Sequence, residues 1–252
     1  MFPHIDAHYL PHVLPLRAER DKSIESLLFE LADDRALVHF LMSYCSMRIG
    51  TFRPISGWLR KSARLGRDAG DDEVGDELCR AAEREEEHRL FLIADLVSQR
   101  EVWTKRLGGH PIGLLALVRR LPNPTTSRHV ELRHAVSEDP FAMIAVELEL
   151  AEFGRAFGPA LVQGAHVMLG DAAEDCLRFV QARTEDAVER SHARQRRLEL
   201  LLARDPSKGE VWAARSGELV RSYCEVLIAS TAHGHLRTPP SGSASSAGFL
   251  LD

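Results

Sequence analysis

Two segments of the chain carry a glutamate followed three residues later by a histidine: Glu85 with His88, and Glu189 with His192. Residues three apart on a helix share a face, so each pair would direct a carboxylate and an imidazole towards one point. Helical bundles hold two iron or manganese ions with two such pairs and further inward carboxylates. The spacing therefore favours a di-metal enzyme, provided that both pairs lie on helices and face one interior.

The bulk composition indicates one helical domain without a strong charge. The 252 residues are 44% hydrophobic and 27% charged, with a net charge of −5. This balance permits one buried core and excludes the basic surface that is typical of nucleic-acid binding. No apolar run reaches membrane-spanning length, and the N-terminus lacks the pattern of a signal peptide. We therefore expect no membrane partner, a small-molecule substrate and a cytoplasmic location; a homodimer stays open.

Hydrophobic periodicity and helix breakers predict an all-α domain over residues 1–237. We expect an irregular lead-in over residues 1–22, which contain three prolines, and a disordered tail over the Pro-, Ser- and Gly-rich residues 238–252. Between them the pattern predicts helices from Ser23 to Gly50, from Pro54 through Leu59, and over 72–103, 112–119, 139–169, 171–203 and 210–229. The four cysteines are widely spaced, and we expect them to be reduced.

Glu85 and His88 interrupt an apolar stripe on the predicted helix over 72–103. The stripe consists of Val74, Leu78, Ala81, Leu92 and Leu96. A carboxylate on such a core-facing stripe costs several kcal/mol if nothing compensates its charge. Metal coordination would compensate it; an arginine partner, or a rotation of the helix, are the alternatives that the spacing leaves open.

The predicted helix over 139–169 is apolar almost all round, and such a helix is buried. It nevertheless contains Glu147, Glu149 and Glu152. Glu149 shares a face with small residues that let neighbouring helices approach, so it is our first choice for a bridging carboxylate. Glu152 is the second choice, and Glu147 is expected to point the other way.

Three further candidates lie on the predicted helix over 171–203. Glu185, Glu189 and His192 follow an i, i+4, i+7 spacing and fall in one stripe, with Leu177, Thr184 and Val188 on the same side. The row of arginines opposite them is expected to face solvent. The alternative is that the three candidates themselves form a charged surface.

Together the six residues match the chemistry of iron. Carboxylates are hard anionic donors that can bridge two cations, and one imidazole per metal is a common complement. Zinc sites usually have fewer ligands and often a cysteine. Such a site would hold two iron ions, with manganese as an alternative, and would leave room for dioxygen as co-substrate and for an organic substrate.

At this point the sequence resembles a known family, the haem-oxygenase-like di-iron oxidases and oxygenases. The resemblance covers about residues 24–231. It rests on the block EEEHRLFLI at 85–93, on Glu149 with Gly158-Pro159, on Glu185, Glu189 and His192, and on residues 53–60. It implies a bundle of about seven helices in which Glu85, His88, Glu149, Glu185, Glu189 and His192 bind the metals. Many relatives have histidine where this chain has Glu185 and aspartate where it has Glu189.

The resemblance also implies an activity. Family members use dioxygen and a peroxo-diferric intermediate to oxidise amino acids, amines or fatty acids in specialised biosynthesis. For this chain we therefore expect a non-haem di-iron oxidase or oxygenase acting on a small substrate of those classes. His39, Tyr44, Arg48 and Arg155 are the polar helical residues that could face such a substrate.

Three alternatives stay open from the sequence. A metal-free, thiaminase-like enzyme on the same fold would use Cys79 or Cys176 as a nucleophile lining the cavity. A ferritin-like bundle would need a carboxylate from the first long helix, where Glu30 is the candidate. A non-catalytic helical binding protein would have lost part of the ligand set.

Overall fold

A computed structural model describes residues 2–118 and 124–231, and within these ranges the chain contains helices and connecting turns but no strand. The helices are α1 (Pro3–His8), α2 (Leu10–Glu30), α3 (Asp34–Asp68), α4 (Asp72–Glu101), α5 (Leu114–Val118), α6 (Pro124–Val136), α7 (Pro140–Leu169), α8 (Ala172–Cys176), α9 (Arg178–Arg204) and α10 (Lys208–Thr231). A π-helical segment, Val102–Arg106, continues α4. The predicted all-α class is confirmed.

Aspartate side chains begin three of the long helices. Asp33 accepts from the Ala36 amide at 2.9 Å, Asp71 from that of Val74 at 3.0 Å, and Asp139 from those of Phe141 and Ala142 at 3.2 and 3.0 Å. Each carboxylate satisfies amides that have no partner inside the helix. These caps fix where α3, α4 and α7 start.

The core forms around α7, whose residues 142–151 are all buried. It runs beside α9 and also contacts α3, α10 and α2, while α3 packs along α4 and α10 along α2. Glycine allows α7 and α9 to approach closely, because a Cβ built on Gly158 would collide with Thr184 Oγ1. The resulting bundle places one face of α9 against the apolar body of α7.

The expected irregular lead-in is wrong, because residues 3–8 and 10–30 are helical. Pro3 and Pro11 lie in the first turns of α1 and α2, where a proline needs no amide hydrogen bond. Tyr9 and Val13 are fully buried at this end of the bundle. The prolines therefore start helices here instead of excluding them.

Other predicted boundaries differ as well. The helix from Ser23 and the helix from Pro54 are replaced by α2 and one continuous α3, whose backbone stays helical past Gly50 and Pro54. The long α3–α4 contact spans that region and supports the helix on both sides of the proline. The break near Gly108 is confirmed, α6 was not predicted, and the predicted tail over 238–252 lies outside the described residues.

Candidate functional site

The predicted ligands on α9 face solvent. Glu185, Glu189 and His192 are exposed, whereas Arg194 is buried and Arg183 is partly buried. The predicted inward stripe is therefore wrong. Two residues of that stripe mislead: Val188 is 64% exposed, and the helix breaks at Leu177, between α8 and α9.

Leu177 is the residue at that break. Its backbone angles, φ −131° and ψ 16°, are not helical, so its buried side chain says nothing about which face of α9 is inward. The correct guide is the stripe of buried residues within α9 itself. That stripe contains Phe179, Val180, Ala187, Leu198 and Leu202. Asp186 and Arg194 lie on the same buried side.

Glu85 is buried, as predicted, but its partners are arginines. Arg183 Nη1 donates to Glu85 Oε1, and Arg48 Nη2 lies 3.7 Å from Glu85 Oε2. Burial opposes ionisation of this carboxyl, yet Arg183 and Arg48 outweigh it and lower its pKa to about 2. Of the alternatives for Glu85, the structure therefore shows the arginine partner.

His88 is buried one turn along the same face of α4. Its ring meets Phe179 edge-on at 6.3 Å between centroids, and its Nδ1 has no hydrogen-bond partner among the described residues. Burial and the charge of Arg183 lower the pKa of His88 to about 4. The imidazole is therefore neutral near pH 7.

Glu149 lies on the side of α7 that faces α2. Arg17 holds it with two hydrogen bonds of 2.7 and 2.9 Å, and Tyr9 Oη lies 3.2 Å from Oε1. The second-choice residue, Glu152, pairs with Arg155 at 3.1 Å and accepts from Ser191 at 2.8 Å. Neither carboxylate points towards Glu85.

The six predicted ligands therefore do not fit a di-iron centre in this arrangement. Glu85 and His88 are together, Glu149 is held by Arg17 on another side, and the three α9 candidates are exposed. Among residues 2–118 and 124–231, no group of three or more His, Cys, Asp or Glu side chains could hold a metal ion.

A pocket opens between α7 and α9, next to Glu85. With the solvent space that adjoins it, the pocket measures ≈ 560 Å³. Its apolar walls are Leu150, Ala151, Phe153, Phe157, Phe179, Val180 and Ala187, and its polar residues are Tyr44, Glu147, Arg183, Thr184, Asp186, Arg194 and Tyr223. Four helices contribute: α3, α7, α9 and α10.

Two tyrosines and an arginine form the polar end of the pocket. Tyr44 Oη and Tyr223 Oη are 2.6 Å apart, and Arg183 lines the same space. Burial, then the neighbouring Tyr223, raises the pKa of Tyr44 well above its usual value. Burial lowers the pKa of Arg183, but the negative charge of Glu85 opposes this effect, and the pKa is raised overall. At neutral pH Arg183 is charged and can only donate hydrogen bonds, whereas the neutral Tyr44 hydroxyl can donate or accept them.

The charged residues that line the pocket sum to zero: Arg183, Arg194, Glu147 and Asp186. Arg48, Arg133 and Glu85 lie next to them and add one positive charge; Arg133 pairs with Glu147 at 2.5 Å. The nearby imidazoles add none, because burial lowers the pKa of His88 to about 4 and that of His129 to about 3. An anionic ligand would balance the charge.

The sequence reasoning missed most of these residues. Glu147 was expected to point away from the site but lines the pocket, and Arg183 was assigned to the solvent row. The sequence could have identified Tyr223 as a candidate, because it is a tyrosine within the apolar pattern of α10. Of the proposed substrate-facing residues, Tyr44 lines the pocket, Arg48 lies beside Glu85, His39 is buried near Trp103, and Arg155 is on the surface side of α7.

The cysteines do not provide a nucleophile in this pocket. Neither Cys79 nor Cys176 lines it. Burial raises the pKa of Cys176 to about 12 and that of Cys224 to about 11, and it raises the pKa of Cys45 further. These three thiols are protonated at neutral pH and are poor nucleophiles.

Comparisons of the chain with protein-family models, with curated proteins and with solved structures gave no match. Within the described part of the chain, no helix has the length and apolar character needed to cross a membrane. The resemblance to haem-oxygenase-like di-iron enzymes therefore stays an expectation from the residue pattern.

Proposed function

We propose that this chain binds a small organic acid with an aromatic or other apolar body in the pocket between α7 and α9, and that binding needs no metal ion. The observation that carries the proposal is Arg183, a permanently charged side chain that lines an aromatic-walled pocket. Ligand pockets of this kind combine apolar walls with a few polar groups that fix orientation.

The position of Arg183 supports an anion. Arg183 pairs with Glu85, and its side chain is 23% exposed and lines the pocket. A ligand carboxylate in the pocket would give Arg183 a second anionic partner. Arg183 uses Nη1 for Glu85, and a guanidinium has further N–H groups to offer.

The tyrosine pair supports a hydrogen-bond acceptor at the same end. Tyr44 and Tyr223 together hold two hydroxyl hydrogens, and one of them lies between the two oxygens. The other hydrogen can be donated to a ligand oxygen. Phe153, Phe157 and Phe179 offer ring faces and edges for the apolar body of the ligand.

The experiment is a titration of the metal-free protein with phenylacetate, followed by amide-resolved NMR. Phenylacetamide, which has the same shape without the charge, serves as the ligand control. We expect phenylacetate to shift amides of α7 and α9, and Arg183→Gln to weaken binding about tenfold or more, the value of one charged hydrogen bond. Arg196→Gln, an exposed position on the same helix, should have no effect. Equal binding of acid and amide would contradict the proposal.

The second candidate is the non-haem di-iron, O2-dependent oxidase or oxygenase that the resemblance implies. One observation favours it: Glu85 and His88 are buried together, and Nδ1 of His88 has no hydrogen-bond partner among the described residues. This function would require Arg183 to leave Glu85. It would also require α9 to turn its predicted ligands, Glu185, Glu189 and His192, towards the interior. Anaerobic Fe(II) loading tests it, because iron binding should then fall in Glu85→Ala and in His192→Ala. Equal iron content in the parent and both variants would exclude it.

A further inference from the structure

We propose a second anion-binding site in a groove between α2 and α10, built around Arg20. The groove and its adjoining solvent space measure ≈ 510 Å³. It is lined by α2 and α10, whereas the first pocket lies between α7 and α9 with contributions from α3 and α10. The two sites share no lining residue, so this proposal does not depend on the function proposed above.

Arg20 is the residue that points to a ligand. Its side chain is only 8% exposed, and two of its nitrogens contact one oxygen of Asp21: Nε at 2.8 Å and Nη2 at 2.7 Å. The third nitrogen, Nη1, is buried and has no hydrogen-bond partner among the described residues. A buried charged donor left without an acceptor is unfavourable, and a small movement of the Arg20 side chain would present Nη1 to an acceptor oxygen in the groove.

The other lining residues suit an anion with an apolar part. Leu16 and Val220 form an apolar floor, and Gly217 allows α2 to approach α10, since a Cβ there would collide with Leu16 Cδ1. At the rim, Arg221 pairs with Glu19 at 3.1 Å.

The charges at the groove are balanced, because Arg20 pairs with Asp21 and Arg221 pairs with Glu19. The free donor of the Arg20 guanidinium, not a net charge, is therefore what would attract an anion. Ser23 Oγ donates to the Glu19 carbonyl at 3.1 Å and lies on the same wall. The groove thus accepts a carboxylate or phosphate oxygen at Arg20 Nη1 and a short aliphatic chain on Leu16 and Val220.

The test is an amide-resolved NMR titration of the full chain with inorganic phosphate and, separately, with butyrate. Shifts confined to residues 16–23 and 217–224 are expected with at least one of the two anions. Shifts with phosphate alone identify a phosphate group as the ligand chemistry, and shifts with butyrate identify an organic carboxylate. No shift in these segments with either anion overturns the proposal.

Variants separate this groove from the first pocket. Arg20→Gln should weaken anion binding in the groove about tenfold or more and leave phenylacetate binding between α7 and α9 unchanged. Arg64→Gln, at an exposed position on α3, is the matched control. Should Arg20→Gln unfold the protein, Val220→Phe fills the floor of the groove while keeping the arginine, and it should block butyrate. Unchanged anion affinity in a folded Arg20→Gln variant, or unchanged butyrate affinity in Val220→Phe, overturns the proposal.

Discussion

Arg183 on α9 donates to Glu85 on α4, and this ion pair stands where the spacing of Glu85 and His88 predicts a metal ion. The carboxylate side chain is 3% exposed, while the arginine side chain is 23% exposed and reaches the pocket between α7 and α9. One guanidinium therefore compensates the buried carboxylate and supplies the positive end of the pocket. This relationship leads to the first prediction.

Removing only the carboxylate should destabilise the fold more than removing both charges. Glu85→Leu removes the carboxylate partner of Arg183, and loss of one member of a buried ion pair costs about 3–5 kcal/mol. The double variant Glu85→Leu/Arg183→Leu should recover part of this loss. Urea unfolding measures both. The exposed pair of Lys105 and Glu101 is the control, since Lys105→Ala should cost less than about 1 kcal/mol. Strictly additive losses from Glu85→Leu and Arg183→Leu would contradict the pairing.

Close approach of α7 and α9 should make Gly158 intolerant of a side chain. In Gly158→Ala the new Cβ meets Thr184 Oγ1 and lies 3.1 Å from Thr184 Cβ, so the helices must shift at a cost of about 1–3 kcal/mol. Gly164→Ala on the same helix is the matched control. Its Cβ meets only Met168 Cε, at 3.7 Å, so the better helix propensity of alanine should leave stability equal or higher. Thermal unfolding of the two variants compares them, and equal melting temperatures would contradict the close contact.

Buried His129 should make the protein lose stability on acidification. Burial, then the charges of Arg133 and Arg48, lowers its pKa from 6.5 to about 3. The folded state therefore binds fewer protons than the unfolded state in this interval, and stability falls as the pH decreases from about 6.5 towards 3. Chemical unfolding at a series of pH values should show a shallower fall in His129→Gln than in the parent. His12→Gln, at an exposed position, should keep the parental slope. A parental slope in His129→Gln would refute the assignment.

The cysteines should differ in their reaction with an alkylating reagent. Cys45, Cys176 and Cys224 are buried and free, and burial raises the pKa of each thiol. Cys79 is partly exposed, so the folded protein at neutral pH should be labelled there first. Mass spectrometry of iodoacetamide-treated protein locates the label. Rapid labelling of Cys176 together with loss of ligand binding would instead support the thiaminase-like alternative.

Helix content was predictable from the sequence, but helix faces were less so. The stripe of Val74, Leu78 and Leu92 correctly places Glu85 and His88 inside, because five apolar residues at helical spacing leave one orientation for α4. On α9 the apolar residues are sparser, and two of them mislead: Leu177 lies outside the helix, and Val188 is 64% exposed. Neither residue marks the buried face, so the assignment of Arg183 and Glu185 is reversed.

Partners of buried charges could not be predicted from spacing. Glu149 and Arg17 lie on different helices, and their pairing depends on how α2 crosses α7. The same holds for Glu147 with Arg133 and for Tyr44 with Tyr223. A spacing of three or four residues reports only neighbours on one helix, so it indicated a cluster of carboxylates without revealing that arginines face them.

Calorimetric titration of chelator-treated protein with phenylacetate, with a parallel titration after Fe(II) loading under anaerobic conditions, measures whether the acid binds without metal. We expect the same affinity in both samples, and an affinity about tenfold or more lower in Arg183→Gln. Binding that appears only after iron loading, or an Arg183→Gln variant that binds as tightly as the parent, would contradict this expectation.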